Sequence, residues 1–388
     1  MKYSGHPLHS KLPDQGVTIF TRMTQLAQEY AAINLAQGFP NFMCDADLVA
    51  KAAKFMQQGH NQYAPMMGLQ PLREQIATQI QTLYGANYDP NTEITITSGA
   101  TEAIFNAIAS IIHEGDEVII LEPCYDSYVP AVKLAGGRPK FVPLDPETFA
   151  INWTSVRKSI SQKTKAIILN SPHNPTGKIL CDSDIQELIK IIEHTDIVIV
   201  ADEVYEFMVF DGATHKSMCR YPELASRSFV ISSFGKSLHI TGWKIGYCVA
   251  PKQLTTEFRK VHQFNTFSTA TPLQLAIYEY ITQFSTYSQS VQELYQQKRN
   301  FFKELLAKTI LKVLPCEGTY FLLASFNTKE FAGKSDMEFV EDLTKRQGVA
   351  AIPLSAFYYN RMDNKLIRLC FAKTDELLIQ AVERLQQL

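Results

Sequence analysis

The sequence predicts an α/β protein whose main sheet is mostly parallel, followed by a smaller α+β unit. Three observations carry this. Between about residue 93 and residue 250, short β-rich runs alternate with helical patterns. Those runs are apolar throughout instead of alternating with polar residues, as strands covered on both faces require. After residue 285 the pattern changes to one long helical stretch, separate strand-like runs and a closing helix.

Taken in order, the run Glu93-Ile-Thr-Ile-Thr97 leads to a helix expected over Thr101 to His113. Val118 to Leu121 leads to a segment from Tyr125 to Ala135, and Ala166 to Leu169 precedes the amphipathic stretch Asp182 to His194. Ile197 to Ala201 follows, then Phe229 to Ser232. Beyond residue 285 a helix is expected over about 287 to 308, then strands at Tyr320 to Ala324, Val349 to Pro353 and Leu366 to Phe371, and a helix running to Leu388. No repeats or low-complexity linkers interrupt the chain, so its parts are expected to pack tightly.

The chain has 388 residues, 46% of them hydrophobic and 20% charged, which is the composition of an ordinary globular protein. A net charge of -2 without runs of like charge argues against nucleic acid or an acidic membrane surface as partner. Cysteines at 44, 124, 181, 219, 248, 316 and 370 form no CxxC pair and read as small buried hydrophobes in a reducing compartment. His6 and His9 lie in a polar tail without further ligands, so no metal is expected. No apolar leader or membrane-length run is present, and the expected location is the cytoplasm.

In open α/β sheets ligands gather outside the carboxyl ends of the strands, and four such ends carry unexpected polar chemistry. The first is Ser98-Gly99-Ala100-Thr101, small residues opening a helix whose N–H groups and dipole suit an anion such as phosphate. The second is Asn170-Ser-Pro-His-Asn174-Pro-Thr-Gly177, which alone would be an ordinary turn. The third is Asp202-Glu-Val-Tyr205, where an acid ends an all-aliphatic strand and needs a partner. The fourth is Ser233-Phe-Gly-Lys236. A lone lysine there would ordinarily be a surface residue, but a buried amine loses its proton readily and becomes a nucleophile. Gly235-Lys-Ser and Gly333-Lys-Ser fail as phosphate loops, because Val230 and Thr328 stand where the first glycine is needed.

Acid, tyrosine, asparagine, lysine and an anion cradle are together the parts that pyridoxal 5′-phosphate requires. Over nearly its whole length the chain resembles the fold-type I, class I aminotransferases. The resemblance rests on Asn34-Leu-Ala-Gln-Gly38-Phe-Pro, Asn61-Gln-Tyr63, Ser98-Gly-Ala100, Asn174-Pro-Thr-Gly177, Asp202-Glu-Val-Tyr205, Ser233-Phe-Gly-Lys236, Thr241-Gly-Trp-Lys244-Ile-Gly and Arg368. It is near the kynurenine/glutamine branch and, closer still, the bacterial methionine aminotransferases. The resemblance implies a large cofactor domain over 46–285 and a small domain formed by 1–45 with 286–388.

It further implies that Lys236 holds the cofactor covalently and moves the reacting proton, and that Asp202 pairs with the ring nitrogen. Tyr205 and Asn174 would bond the ring oxygen, and Tyr125 would stack on the ring. Gly99, Ala100, Thr101, Ser233 and Lys244 would hold the phosphate, with Tyr63 reaching it from the neighbouring subunit of a homodimer whose sites are shared. Arg368 would grip the substrate α-carboxylate, with Asn174 and the Gly38 backbone helping. Phe20, Thr101 and the neighbour's Phe267 and Ser268 would line the side-chain pocket. Thr101 and Ser268 depart from the tyrosine and histidine of the kynurenine branch, which favours methionine, leucine and aromatic amino acids as substrates. Two other readings are a β-lyase acting on cysteine conjugates or cystathionine, and a regulatory protein without turnover. The second usually carries an added DNA-binding module that no segment here provides.

Overall fold

The computed structural model describes residue 5 and residues 9–388. His6 lies outside the described residues, and His9 is exposed. Among the described residues no group of three or more His, Cys, Asp or Glu could hold a metal, and no helix is long and apolar enough to cross a membrane.

Seven strands form the central sheet, in the spatial order 94–97, 246–249, 228–233, 198–202, 164–170, 117–122 and 138–143. All neighbours are parallel except strand Gly246–Val249, which is antiparallel to both strands beside it. The apolar runs are apolar because both faces are covered. Val118 and Ile120 enter one core cluster while Ile119 and Leu121 enter another. Val198, Ile199 and Val200 are each buried, contributing roughly 1.5–3 kcal/mol apiece.

Two strands of the central sheet, and the short strands Ile33–Asn34 and Lys312–Val313 outside it, go beyond the sequence expectation. Arg138–Pro143 lies on the sheet edge, where prolines are tolerated because no ladder bond need be donated outward. Gly246–Val249 is only four residues long. The expected strand at 349–353 is two strands in different sheets. Val349–Ala350 pairs in parallel with Ile33–Asn34, whereas Ile352–Pro353 joins Leu366–Cys370. A second sheet runs 352–353, 366–370, 321–325, 312–313, antiparallel throughout.

Helix starts also moved. The helix after the first strand begins at Gly99, not Thr101, and ends at Ile111. The one after Glu117–Glu122 begins at Tyr128, leaving Tyr125 on a loop. Register aligns the polar strand ends, since Asn170 lies opposite Asp202 and Asp202 opposite Ile231.

Candidate active site

The aligned strand ends open into one cavity of ≈ 360 Å³. Its walls include Gly38, Gly99, Ala100, Thr101, Tyr125, Asn174, Asp202, Tyr205, Ser233, Lys236, Lys244, Phe20 and Arg368. Of the residues expected from sequence, Tyr63, Phe267 and Ser268 do not line it. Tyr63 and Phe267 sit on the surface, 82% and 37% exposed, with their rings edge to face at 5.3 Å, and the Ser268 hydroxyl donates to the Ala64 carbonyl at 2.9 Å.

Lys236 follows strand Ser228–Ser233 in a short helix, Phe234–Ser237. Its Nζ donates to the Tyr320 hydroxyl at 2.9 Å and lies 3.4 Å from the Gly38 carbonyl oxygen. The Tyr320 hydroxyl in turn donates to that same carbonyl. A hydroxyl has one proton to give, and here it is spent on Gly38, so Tyr320 can only accept from Lys236. Burial lowers the Lys236 pKa to about 8, and the positive charges of Arg368 and Lys244 push the same way.

Asp202 is 4% exposed at the end of its strand. Burial raises its pKa to about 6, opposed by hydrogen bonds from Tyr128 and the Val204 amide. The Tyr128 hydroxyl donates to Oδ2 at 2.5 Å, and the Asn170 side chain donates to the Asp202 carbonyl at 2.8 Å. Asn170 Oδ1 accepts from the Asn174 amide at 2.8 Å, fixing the start of the turn. Tyr205 packs edge to face on Tyr320 at 5.1 Å, and burial drives its pKa far upward, so its hydroxyl keeps its proton.

Arg368 is 1% exposed, not solvent-facing as an alternating strand residue would be. It donates to Asn174 Oδ1 at 2.6 Å and to the Ala36 carbonyl at 2.9 Å. Its guanidinium lies 3.8 Å from the Phe321 ring centroid, 5.3 Å from Phe20 and 5.0 Å from Phe357. Its Nε has no partner. A buried cation with a spare donor, boxed by aromatic faces, is prepared for a carboxylate. The backbone of segment 36–39 is held from the same side, with Lys373 donating to the carbonyls of Gln37 at 3.4 Å and Phe39 at 2.8 Å.

The anion cradle lies at the start of helix Gly99–Ile111. Ser98 supplies no side-chain cap, leaving first-turn amide hydrogens free for a ligand. Gly99 has φ +76, and a Cβ there would come within 3.1 Å of Lys244 Nζ. A Cβ on Gly246 would come within 3.0 Å of the Ala100 amide nitrogen. Glycine at both positions lets backbone and ammonium converge. Lys244 itself adopts φ +55, a left-handed backbone that costs a non-glycine residue energy and collects at functional sites. The cradle, the buried acid and the amine therefore fit a phosphorylated aromatic aldehyde such as pyridoxal 5′-phosphate.

Tyr128, Tyr320, Asn170, Asp126 and Phe321 belong to the site but were not among the residues expected from sequence. Only Asn170 had a local signal, as the polar end of an apolar strand.

The chain matches the family described as aminotransferase class I and II over residues 31–385. It is similar to methionine aminotransferase of Escherichia coli (strain K12), 46% identical over 379 residues and 98% of each chain. A crystal structure of E. coli YbdL, for which a methionine aminotransferase function was identified, superposes with a TM-score of 0.95 over 98% of this chain and 100% of that one, at 46% identity. The kynurenine–oxoglutarate transaminase of Dictyostelium discoideum is 32% identical over 96% of this chain and 94% of its own.

Proposed function

Because the chain belongs to the class I and II aminotransferases, we propose that it transfers the α-amino group of a large neutral amino acid to a 2-oxo acid. Methionine, leucine and the aromatic amino acids are the donors this reading favours. Pyridoxal 5′-phosphate is the cofactor, and the two half-reactions follow one another at a single site. When bound, it supplies a carbonyl that captures an amine and a ring that withdraws electrons from the captured carbon.

The observation that carries this reading is the meeting of Lys236, Asp202 and Arg368 in one cavity. Lys236 would hold the cofactor, then take and return the proton at the substrate α-carbon, its lone pair left free because Tyr320 accepts from it. Asp202 would keep the ring nitrogen protonated, Tyr205 and Asn174 would bond the ring oxygen, and Tyr125 would stack on the ring. Gly99, Ala100, Thr101, Ser233 and Lys244 would hold the phosphate. Arg368 would orient the substrate by its carboxylate. Phe20 and Tyr125 make the slot apolar and aromatic, and the cavity's cations are those three functional ones, Lys236, Lys244 and Arg368. A distal carboxylate would enter it unpaired, at a heavy desolvation cost.

Residues 46–285 would form the cofactor domain, and 1–45 with 286–388 the smaller one. The pairing of Ile33–Asn34 with Val349–Ala350 supports that grouping. Tyr63 and Phe267, paired on the surface, would serve the neighbouring site of a homodimer. Seven free cysteines are in keeping with the cytoplasm. The test is to mix single amino acids with the cofactor-loaded protein and record which ones discharge its visible absorbance. Methionine and aromatic amino acids should do so at least a hundredfold more efficiently than aspartate, about 2.7 kcal/mol. Equal efficiency for aspartate, or pyruvate release from cysteine conjugates outrunning amino transfer, would replace this reading.

A further inference from the structure

The cavity contains a carboxylate that the family's chemistry leaves without a task. Asp126 lines it beside Phe20 and Tyr125. It also borders an adjoining cavity of ≈ 380 Å³ whose walls include Val17, Ile19, Phe357 and Tyr359. We propose that Asp126 is a specificity-determining residue, one that repels a second carboxylate on the substrate side chain. This rests on the aminotransferase reading above and deepens it.

Three observations support the assignment. First, among the described residues no other side chain or backbone group donates a hydrogen bond to the Asp126 carboxylate, and no cation pairs with it within 4.0 Å. Second, none of the cations that line the cavity, Lys236, Lys244 and Arg368, forms an ion pair with Asp126. Arg368 donates to Asn174 and Ala36, Lys236 donates to Tyr320 and Gly38, and Lys244 lies against Gly99. Third, the adjoining cavity is lined by three carboxylates, Asp14, Glu122 and Asp126, against one cation, Arg361, whose guanidinium donates to the Ala356 carbonyl at 3.2 Å. Glu122 borders the same adjoining cavity, and its carboxylate takes only the Tyr359 amide, at 2.5 Å.

The electrostatic consequence follows from how charge is shared. Burial raises the Asp126 pKa, and the positive charge of Arg368 holds it down. A substrate α-carboxylate would claim that same guanidinium. A second carboxylate extended past Phe20 would then meet Asp126 without Arg368 to offset the repulsion, in a setting where like charges are poorly screened. A thioether or a phenyl ring carries no charge for Asp126 to oppose. Selection against acidic side chains thus has two parts: a missing cation, and an anion in place.

The experiment compares wild type, Asp126→Asn, Asp126→Ser and Asp126→Glu, all loaded with cofactor. The measured quantity is the ratio of kcat/KM for glutamate, and for aspartate, to that for methionine. The ratio should rise at least tenfold in Asp126→Asn and in Asp126→Ser, and stay near wild type in Asp126→Glu, which keeps the charge. Calorimetric binding of glutarate, a dicarboxylate without an amino group, should tighten by a similar factor in the first two variants. An unchanged ratio in both neutral variants, with wild type still preferring methionine, overturns the role of Asp126 alone. Wild type that turns over no neutral amino acid instead overturns the functional reading beneath it.

Discussion

Tyr128 donates its hydroxyl proton to Asp202 across 74 residues of sequence, at 2.5 Å and out of contact with solvent. Burial and the adjacent carboxylate drive the tyrosine's own pKa far upward, so it always acts as donor. The bond satisfies Oδ2 and turns Oδ1 toward other partners. It also opposes the burial that raises the Asp202 pKa, keeping the acid ionised where an anion is needed.

Tyr128→Phe keeps the ring and removes this bond. Asp202 should then take up its proton at a higher pH, so the acid limb of the kcat/KM profile moves upward. The loss of one hydrogen bond to a charged group, about 1.5–3 kcal/mol, corresponds to a roughly ten- to hundredfold drop in kcat/KM at neutral pH. An acid limb that stays in place would make Tyr128 a packing residue only.

Asp202→Asn keeps the shape and loses the charge. A neutral amide cannot hold a protonated ring nitrogen, and the expected fall in kcat is on the order of 10³-fold or more. Steady-state kinetics with methionine measures it. A fall below about tenfold would reduce Asp202 to a cap for the residues after its strand.

Lys236 should titrate near its lowered pKa of about 8 in the cofactor-free protein, so dilute acetic anhydride should label it ahead of surface lysines. The unfolded chain holds this proton up to about pH 10.5, the folded one only to about 8. Between those values the folded protein gains stability as pH rises, relative to a Lys236→Met variant. Parallel stability curves would contradict the shift. In the loaded protein, Lys236→Ala should abolish amino transfer, and borohydride should leave no cofactor on any other lysine.

A homodimer with shared sites predicts complementation. Co-expression of a Lys236→Ala/Arg368→Ala chain with a Tyr63→Phe chain should give hybrid dimers in which one site of two is intact, because Tyr63 would be donated across the interface and Lys236 and Arg368 would not. Active-site titration counts such sites. Finding none in the hybrids would mean each chain is self-sufficient.

Most of the fold was legible because parallel strands covered on both faces must be apolar, and such runs stand out. Lys236, Asp202 and Asn174 were legible for the converse reason, as polar residues placed at or just past the ends of those runs. Arg368 carried no such mark, and only the family resemblance drew attention to it. Strand Arg138–Pro143 was not legible because, as an edge strand, it tolerates Pro139, Lys140 and Pro143. Tyr128, Tyr320 and Asp126 escaped notice because their roles depend on partners far away in sequence. Lys236 and Tyr320 are 84 residues apart, and no local pattern separates such a tyrosine from one that merely fills a core.

The backbone carbonyls of Ala36, Gln37, Gly38 and Phe39 are all held by side chains that come from residues 320 to 373. During synthesis this segment must wait for partners that emerge 282 to 336 residues later. At 5–20 residues per second that interval is on the order of tens of seconds. Through it the nascent chain carries the carbonyls of Ala36, Gln37 and Phe39 without their side-chain donors, beside an apolar patch, Leu35 and Ala36, that the finished protein buries completely. The substrate pocket thus cannot form until residue 373 has been made, and a ribosome stalled before residue 368 releases a chain that has its lysine but no grip for an amino acid.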